Sequence, residues 1–189
     1  YLQSKGALAL LTFSGGGNGT VRIASLISYA NLWEPTIPQM TISKEDFFRI
    51  QRLLTHGESV ILEMNVQNKF YTDDLTGYNV IAEIPGTDPV LKDQIVMLGG
   101  HLDSWHISTG ATDDAAGCIV MMEAVRVLKS IGVKPRRTIR IALWGAEEQG
   151  LVGSYGYVKT HFGNSLDMTL KPEQEKISVY YNLDNGTGD

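Results

Sequence analysis

The chain has 189 residues and a mass of 20.8 kDa; 43% of the residues are apolar and 20% are charged. This is the composition of a packed globular protein, and it excludes intrinsic disorder, collagen and coiled coils. The formal charge of -5 argues against a nucleic-acid partner, and no apolar run approaches the ~20 residues that cross a bilayer. The single cysteine, Cys118, forbids an internal disulfide and cannot form a thiolate zinc site.

The first third of the chain is predicted to form a small separate unit. A short apolar strand is expected over 6–13. A helix is expected to begin at Ser43, a good N-cap with Asp46 three residues further on, and to end at Gly57. Its apolar face contains Phe47, Ile50 and Leu54.

Apolar and polar residues alternate after this helix. The apolar members are Val60, Leu62, Met64 and Val66. A period of two is typical of a strand with one face in solvent, so a second strand is predicted here.

The rest of the chain alternates strands and helices. Strands are predicted over 78–84, 94–98, 138–144 and 177–183. Helices are predicted over 114–131 and 151–162, the first with an apolar face of Ile119, Met122, Val125 and Val127 or Leu128. This alternation predicts an α/β fold in which a mostly parallel sheet carries helices on both faces.

Acidic and imidazole side chains follow the predicted strands. In chain order they are His101, Asp103, Asp113, Asp114, Glu147, Glu148 and Asp184. Because ligands of open α/β sheets bind at the carboxyl ends of the strands, these groups are expected to share one crevice. Carboxylates gathered there would repel one another, so a divalent cation, or a pair of them, is predicted between them.

Each of these groups also has a simpler interpretation. Asp113 and Asp114 could cap the following helix, and His101 could be a buried structural histidine. The pair Glu147-Glu148 could be a solvated loop, and Asp184 could begin a turn. Their occurrence together at one edge of the sheet favours the metal site over these separate explanations.

Four motifs in this region resemble those of the M28 zinc exopeptidases, and within that family the carboxypeptidase Q-like branch. They are Gly100-His101-Leu102-Asp103-Ser104, Gly110-Ala111-Thr112-Asp113-Asp114-Ala115-Ala116-Gly117, Ala146-Glu147-Glu148-Gln149-Gly150 and Asn182-Leu183-Asp184. The resemblance implies a phosphorylase/hydrolase-like zinc-exopeptidase fold. It further implies that 1–74 is part of a small, β-rich, protease-associated-type insert with its connecting segment, and that 75–189 is the N-terminal part of the catalytic domain.

The resemblance also implies a role for each site residue. In the family, the residues that match His101 and Asp184 bind one zinc ion, and the residue that matches Glu148 binds a second ion. The residue that matches Asp113 bridges the two ions. Glu147 is the general base. In an extended segment Asp103 shares a face with His101, so its carboxylate is expected to accept the free imidazole N–H. Glu147 and Asp103 are thus the predicted catalytic residues, and the bond between Asp113 and Asp114 is expected to be cis.

The implied activity is hydrolysis of a terminal peptide bond in a peptide or dipeptide by a co-catalytic zinc pair. The family's last zinc ligand is a histidine downstream of the position of Asp184, so this chain is expected to be a fragment with an incomplete second site. A location outside the cytoplasm is implied by the resemblance alone. Two alternatives stay open: a deacylase or glutaminyl cyclase on the same scaffold, and a non-catalytic binding module.

Overall fold

The computed structural model describes residues 1–13, 15, 18–21, 37–69, 71–106 and 108–184. The chain divides into two compact units, Tyr1–Thr72 and Asp73–Asp189, and each is described by itself. That the first unit belongs to a protease-associated-type domain stays a prediction.

The first unit contains a parallel strand pair and one helix. Strand β1 (Leu10–Phe13) pairs with β2 (Gln39–Ile42), and α1 (Lys44–Thr55) follows directly. The ring of Phe13 lies 4.8 Å from that of Phe47 and 5.0 Å from that of Phe48, which packs the start of the helix against the strand. The observed strand β1 begins only at Leu10, so it is shorter than the strand predicted over 6–13.

The predicted start of α1 is confirmed. The Ser43 hydroxyl accepts the backbone N–H of Asp46 at 3.1 Å and donates to the Asp46 carboxylate at 2.7 Å. This reciprocal contact satisfies a backbone donor that the first helical turn leaves without a partner. Gly57, with φ of +80°, follows the end of the helix as predicted.

The strand predicted from Val60 to Val66 is wrong. No residue of this segment pairs with a strand in the part of the chain that the structure describes. Val60 and Met64 are half-buried and line an apolar hollow beside α1, whereas Ile61 is 92% exposed. Leu62 and Val66 are exposed, so the alternation does not mark a covered side, and a strand additionally requires a backbone partner.

The second unit is built on a four-stranded sheet. Its elements in chain order are β3 (Val80–Ile84), β4 (Ile95–His101), α2 (Gly117–Ser130), β5 (Thr138–Trp144), α3 (Val152–His161), β6 (Gly163–Asn164), β7 (Thr169–Leu170) and β8 (Ile177–Asn182). The sheet order is β3-β5-β4-β8, with β4 parallel to both neighbours and β3 antiparallel to β5. The mostly parallel sheet is therefore confirmed, and β6 and β7 form a separate hairpin.

Helices cover both faces of this sheet, as predicted. On one face Cys118 and Met121 of α2 pack with Ile141 and Leu143 of β5. On the other face Tyr157 of α3 joins a second cluster, which contains Ile95, Met97, Ala142 and Trp144. Burial on both sides explains the continuous apolar run that marks β4 in the sequence. In the ranges described, no helix is both long and apolar enough to span a membrane.

The helix α2 differs from its prediction in its start and in part of its apolar face. It begins at Gly117 because the backbone at Asp113 (φ -114°, ψ 93°) and Asp114 (φ -132°, ψ 32°) is not helical. The predicted apolar face is correct only in part: Val125 packs against the buried cluster and Leu128 is half-buried, whereas Ile119 is 64% exposed and Met122 is 54% exposed.

Small residues allow α2 to approach the sheet closely. The helix lies so near β4 that a Cβ atom on Gly100 would stand 3.3 Å from the Cys118 sulfur. A Cβ on Gly117 would overlap the carbonyl oxygen of Leu183. Gly117 and Cys118 permit this close approach on the side of α2 that meets β4, whereas Ile119 and Met122 are exposed on the other side.

Candidate metal centre

Three potential metal ligands converge at the carboxyl end of the sheet. His101 is the last residue of β4, Asp184 follows β8, and Asp113 lies in the turn Ala111–Ala116 that leads into α2. His101 Nε2 lies 2.9 Å from Asp113 Oδ1 and 3.7 Å from Asp184 Oδ1. One donor atom from each residue falls within 4.8 Å of the other two. Parallel strands end at a common edge, and this brings side chains distant in sequence together.

The ring of His101 is oriented by the backbone of Asp103. Its Nδ1 lies 2.9 Å from the carbonyl oxygen of Asp103 and 3.7 Å from Oδ1 of the same residue. The expected hydrogen bond to the carboxylate is therefore replaced by one to the carbonyl. Donation from Nδ1 leaves Nε2, on the opposite side of the ring, with a lone pair directed at Asp113. His101 is 2% exposed, so this orientation is held inside the protein.

The carboxylate of Asp103 holds the loop that follows β5. Its Oδ1 accepts the backbone N–H of Glu147 at 2.9 Å, and its Oδ2 accepts that of Glu148 at 3.1 Å. Both oxygens thus bond to amides far away in sequence, which explains why neither reaches the imidazole. The carboxylate of Asp103 therefore holds Glu147 and Glu148, whereas its backbone carbonyl orients His101.

Asp114 is a further structural anchor, to which the sequence assigned only a possible helix cap. Its side chain is 1% exposed, and its two oxygens accept the backbone N–H groups of His101 (2.9 Å) and Gly117 (3.1 Å). It therefore joins the end of β4 to the start of α2. Burial raises the pKa of this carboxyl, and the hydrogen bonds from His101 and Gly117 oppose that shift. The Asp113–Asp114 peptide bond is cis, as the resemblance implied.

Glu147 lies beside the three converging side chains. Its Oε2 is 3.9 Å from His101 Nε2, and its side chain is 25% exposed. Burial raises the pKa of Glu147, and the charges of Asp184, Asp103 and Asp113 add to this effect, whereas His101 opposes it. A carboxylate with a raised pKa and access to solvent is suited to accept and return a proton.

Glu148 lies in the same loop but outside the group of three donors. Its Oε1 is buried. Burial is the main cause that raises the pKa of Glu148, and the charge of Asp113 is the next. The structure therefore places Asp113 where its charge acts on both neighbouring glutamates.

The electrostatic balance of the site favours a bound cation. Burial lowers the pKa of His101, but Glu147, Asp113 and Asp184 together outweigh it, so the net shift is upward. One imidazole is thus surrounded by several carboxylates that repel one another. An imidazole nitrogen with carboxylate oxygens is a donor set that zinc accepts, so these residues fit that metal.

A cleft of about 220 Å³ adjoins these groups. Besides His101 and Glu147, its lining includes Trp144, Leu151 and Tyr180. The Tyr180 hydroxyl accepts the Trp144 indole N–H at 2.7 Å, which holds the two rings together on one wall. The cleft provides space for a small substrate group next to Glu147.

Comparison with known proteins places this arrangement among peptidases. The family model of Peptidase family M28 matches residues 79–188. Carboxypeptidase Q of Bos taurus is 38% identical over 141 residues, which is 75% of this chain and 29% of the relative. Leupeptin-inactivating enzyme 1 of Streptomyces exfoliatus is 38% identical over 115 residues, 61% of this chain and 24% of the relative.

Solved structures show the same similarity. A peptidase M28 precursor from Shewanella amazonensis SB2B superposes with a TM-score of 0.67 at 33% identity, covering 95% of this chain and 38% of its own. BSAP, a zinc aminopeptidase from Bacillus subtilis, gives a TM-score of 0.57 at 27% identity, covering 96% and 39%. The chain therefore spans less than two fifths of the length of each of these relatives.

Proposed function

Because this chain belongs to peptidase family M28, we propose that the full-length protein hydrolyses a terminal peptide bond with the help of bound zinc. The observation that carries the proposal is the convergence of His101, Asp113 and Asp184 beside Glu147. Relatives named as a carboxypeptidase and as a zinc aminopeptidase support an exopeptidase reaction.

Four residues of the chain are proposed to hold a pair of zinc ions. His101 and Asp184 would bind one ion, Glu148 would bind the other, and Asp113 would contribute an oxygen to each. The distances from His101 Nε2 to Asp113 and Asp184 support the first ion, and the second rests on the match of this region, which contains Glu148, to the M28 family. Bound zinc would polarise the scissile carbonyl group and lower the pKa of the attacking water.

Glu147 is proposed as the general base. Its carboxylate removes a proton from the water as the oxygen attacks the carbonyl carbon. It then returns that proton to the nitrogen of the leaving amine as the carbon–nitrogen bond breaks, so the carboxylate is regenerated. Burial raises the pKa of Glu147, which suits a group that first accepts and then returns a proton. The Asp103 carboxylate holds Glu147 through its backbone amide during both transfers.

The proposed substrate is a peptide or dipeptide whose terminal residue enters the cleft beside Glu147. The walls of that cleft are largely aromatic and aliphatic, and its residues Trp144, Leu151 and Tyr180 would contact an apolar side chain. His101 and Asp184, which also line the cleft, are two of the groups that would hold zinc.

The test uses the full-length protein with free dipeptides and dipeptides blocked at either end. We expect zinc to copurify, a chelator to abolish turnover, and Glu147→Gln to lower kcat about 10²- to 10⁴-fold while zinc content is unchanged. Glu175→Gln, which removes the same charge from an exposed turn, is the matched control and should not alter kcat.

Two results would contradict this proposal and favour one of the alternatives. Turnover only of acylated substrates or of N-terminal glutamine would identify a deacylase or a glutaminyl cyclase. A folded protein that turns over none of these substrates would identify a binding module. We also propose, on family resemblance alone, a location outside the cytoplasm; recovery of the full-length protein only from the cytosol would contradict it.

A further inference from the structure

The loop that carries Glu147 and Glu148 has a narrow neck. It leaves β5 at Gly145 and enters α3 at Gly153, and the Gly153 N–H donates to the Gly145 carbonyl at 3.0 Å. A Cβ atom on Gly153 would overlap that carbonyl oxygen, and one on Gly145 would overlap the carbonyl oxygen of Tyr78. Glycine is therefore required on both arms for the backbone segments to approach so closely.

The side chain of Asn79 bridges the two arms of this neck. Its Oδ1 accepts the backbone N–H of Gly145 at 3.1 Å, and its Nδ2 donates to the carbonyl oxygen of Gly153 at 2.9 Å. An amide group offers an acceptor at one end and a donor at the other, so a single half-buried side chain satisfies both arms. Asn79 is 66 residues from Gly145 and 74 from Gly153.

The conformation between the two arms is held by hydrogen bonds inside the loop, such as that from the Val152 N–H to the Ala146 carbonyl at 2.9 Å, and by side chains outside it. Ala146 has φ of +53° and Leu151 has φ of +62°, a region that residues with a Cβ atom seldom occupy. Such conformations persist where the surroundings hold them. Asn79 bonds directly to Gly145, the neighbour of Ala146, and Asp103 holds the middle of the loop at Glu147.

We propose that Asn79 is a positioning residue that sets the location of the Glu147 carboxylate. This inference rests on the proposed function, because Glu147 is the proposed general base. Asp103 fixes the amide of Glu147, and Asn79 fixes the backbone from which that segment departs. Loss of the bridge would let the neck widen and move Glu147 away from His101 Nε2, now 3.9 Å from Oε2. None of the three converging donors lies on this loop, so the ion held by His101, Asp113 and Asp184 should stay in place; Glu148 does lie on it, so the second ion should be held less tightly.

The experiment compares two variants of Asn79 in the full-length protein. Asn79→Ala removes both hydrogen bonds, whereas Asn79→Asp keeps an acceptor for Gly145 but places an oxygen against the Gly153 carbonyl. The matched controls are Asn164→Ala and Asn164→Asp. Asn164 also makes two hydrogen bonds, to the Asp167 carboxylate (2.9 Å) and from the Leu166 amide (3.1 Å), but in the turn between β6 and β7.

We expect kcat to fall about 10- to 100-fold in both Asn79 variants, with KM within about threefold of wild type, because a displacement of about 1 Å at a reacting group has effects of this size. The zinc ion held by His101, Asp113 and Asp184 should be retained, and kcat is measured with enough added zinc to saturate the Glu148 site. Hydrogen exchange over 145–153 should become faster, a readout that does not depend on activity. The Asn164 variants should change none of these three quantities.

Several results would overturn the inference. One is an unchanged kcat in a folded, zinc-loaded Asn79 variant. Another is a loss of activity that only follows the loss of zinc or of folded protein, as a purely structural role would give. Equal losses in the Asn164 variants would also overturn it. If wild type itself hydrolyses no peptide, the proposed function fails, and exchange over 145–153 alone then decides whether Asn79 holds the loop.

Discussion

The carboxylate of Asp103 accepts the backbone N–H of Glu147 at 2.9 Å across 44 residues of sequence. The carbonyl group of the same aspartate lies 2.9 Å from His101 Nδ1. One residue therefore links the orientation of a proposed zinc ligand to the location of the proposed general base. Loss of either hydrogen bond should therefore alter the positions of both His101 and Glu147.

Asp103→Ala should lower kcat about 10- to 100-fold, since partners that orient ligands and catalytic groups have effects of this size. Asp103→Asn should be milder, because its amide oxygen still accepts one of the two N–H groups that now bind the carboxylate. Steady-state kinetics with dipeptides measures both. Asp167→Ala is the matched control, since Asp167 also accepts a backbone amide, that of Thr169, but in an exposed turn. Equal losses at the two positions would contradict the role of Asp103.

Asp114→Asn should lower the free energy of unfolding by about 1–3 kcal/mol, because one of two buried N–H groups loses its acceptor. Those groups belong to His101 and Gly117, and both are donors, so an amide can satisfy only one of them. Asp114→Ala should lower the free energy of unfolding further, because both N–H groups then lose their acceptor. Urea unfolding followed by circular dichroism gives the values. The exposed change Asp93→Asn should stay within about 0.5 kcal/mol of wild type, and a similar value for Asp114→Asn would refute the prediction.

Cys118 should resist thiol reagents in the folded protein. The residue is 4% exposed, and burial, followed by the charges of Asp114 and Asp103, raises the pKa of its thiol to about 11. At about pH 8 only about a thousandth of such a thiol is ionised, and the thiolate is the reactive form. Mass spectrometry of the peptide that contains Cys118 should show little labelling by iodoacetamide unless guanidinium chloride is added. Rapid labelling without denaturant would show that this face of α2 opens.

Asp88 should make stability depend on acid pH. Hydrogen bonds from the Val90 amide, the Arg136 guanidinium and the Leu91 amide lower the pKa of this carboxyl below its usual 3.8. A lowered pKa in the folded state gives stability that is present above the unfolded value and is lost as pH falls through the folded value. The free energies of unfolding of wild type and Asp88→Asn should therefore differ more at neutral pH than below about pH 3.

Arg136→Ala provides the companion measurement for Asp88. It removes the second-largest cause of the shift, so the pKa of Asp88, followed by carboxyl NMR, should move upward toward 3.8. If the difference in the free energy of unfolding between wild type and Asp88→Asn were the same at all pH values, this explanation would be contradicted.

The sequence by itself determined the main strands and helices of the second unit and the edge at which the acidic groups gather. The bounds of β5 agree with the prediction over 138–144, because a segment rich in isoleucine and other apolar residues lies between Pro135 and Gly145. The convergence of His101, Asp113 and Asp184 follows from the placement of each after a parallel strand or at the entry to a helix. These features depend on local pattern and on one rule of sheet topology, and both can be read from residue order.

Only the tertiary structure decided which groups meet across the fold. The close approach of α2 to β4 depends on Gly100 in the strand and Gly117 in the helix, which the apolar pattern of the helix does not reveal. The partners of Asp103 and Asn79 lie 44 to 74 residues away. A hydrogen bond over such a separation depends on how loops are brought together by packing, and no spacing in the sequence encodes it. For this reason the sequence identifies the acidic residues of the site, whereas the side chains that hold them in place emerge only once the chain is folded.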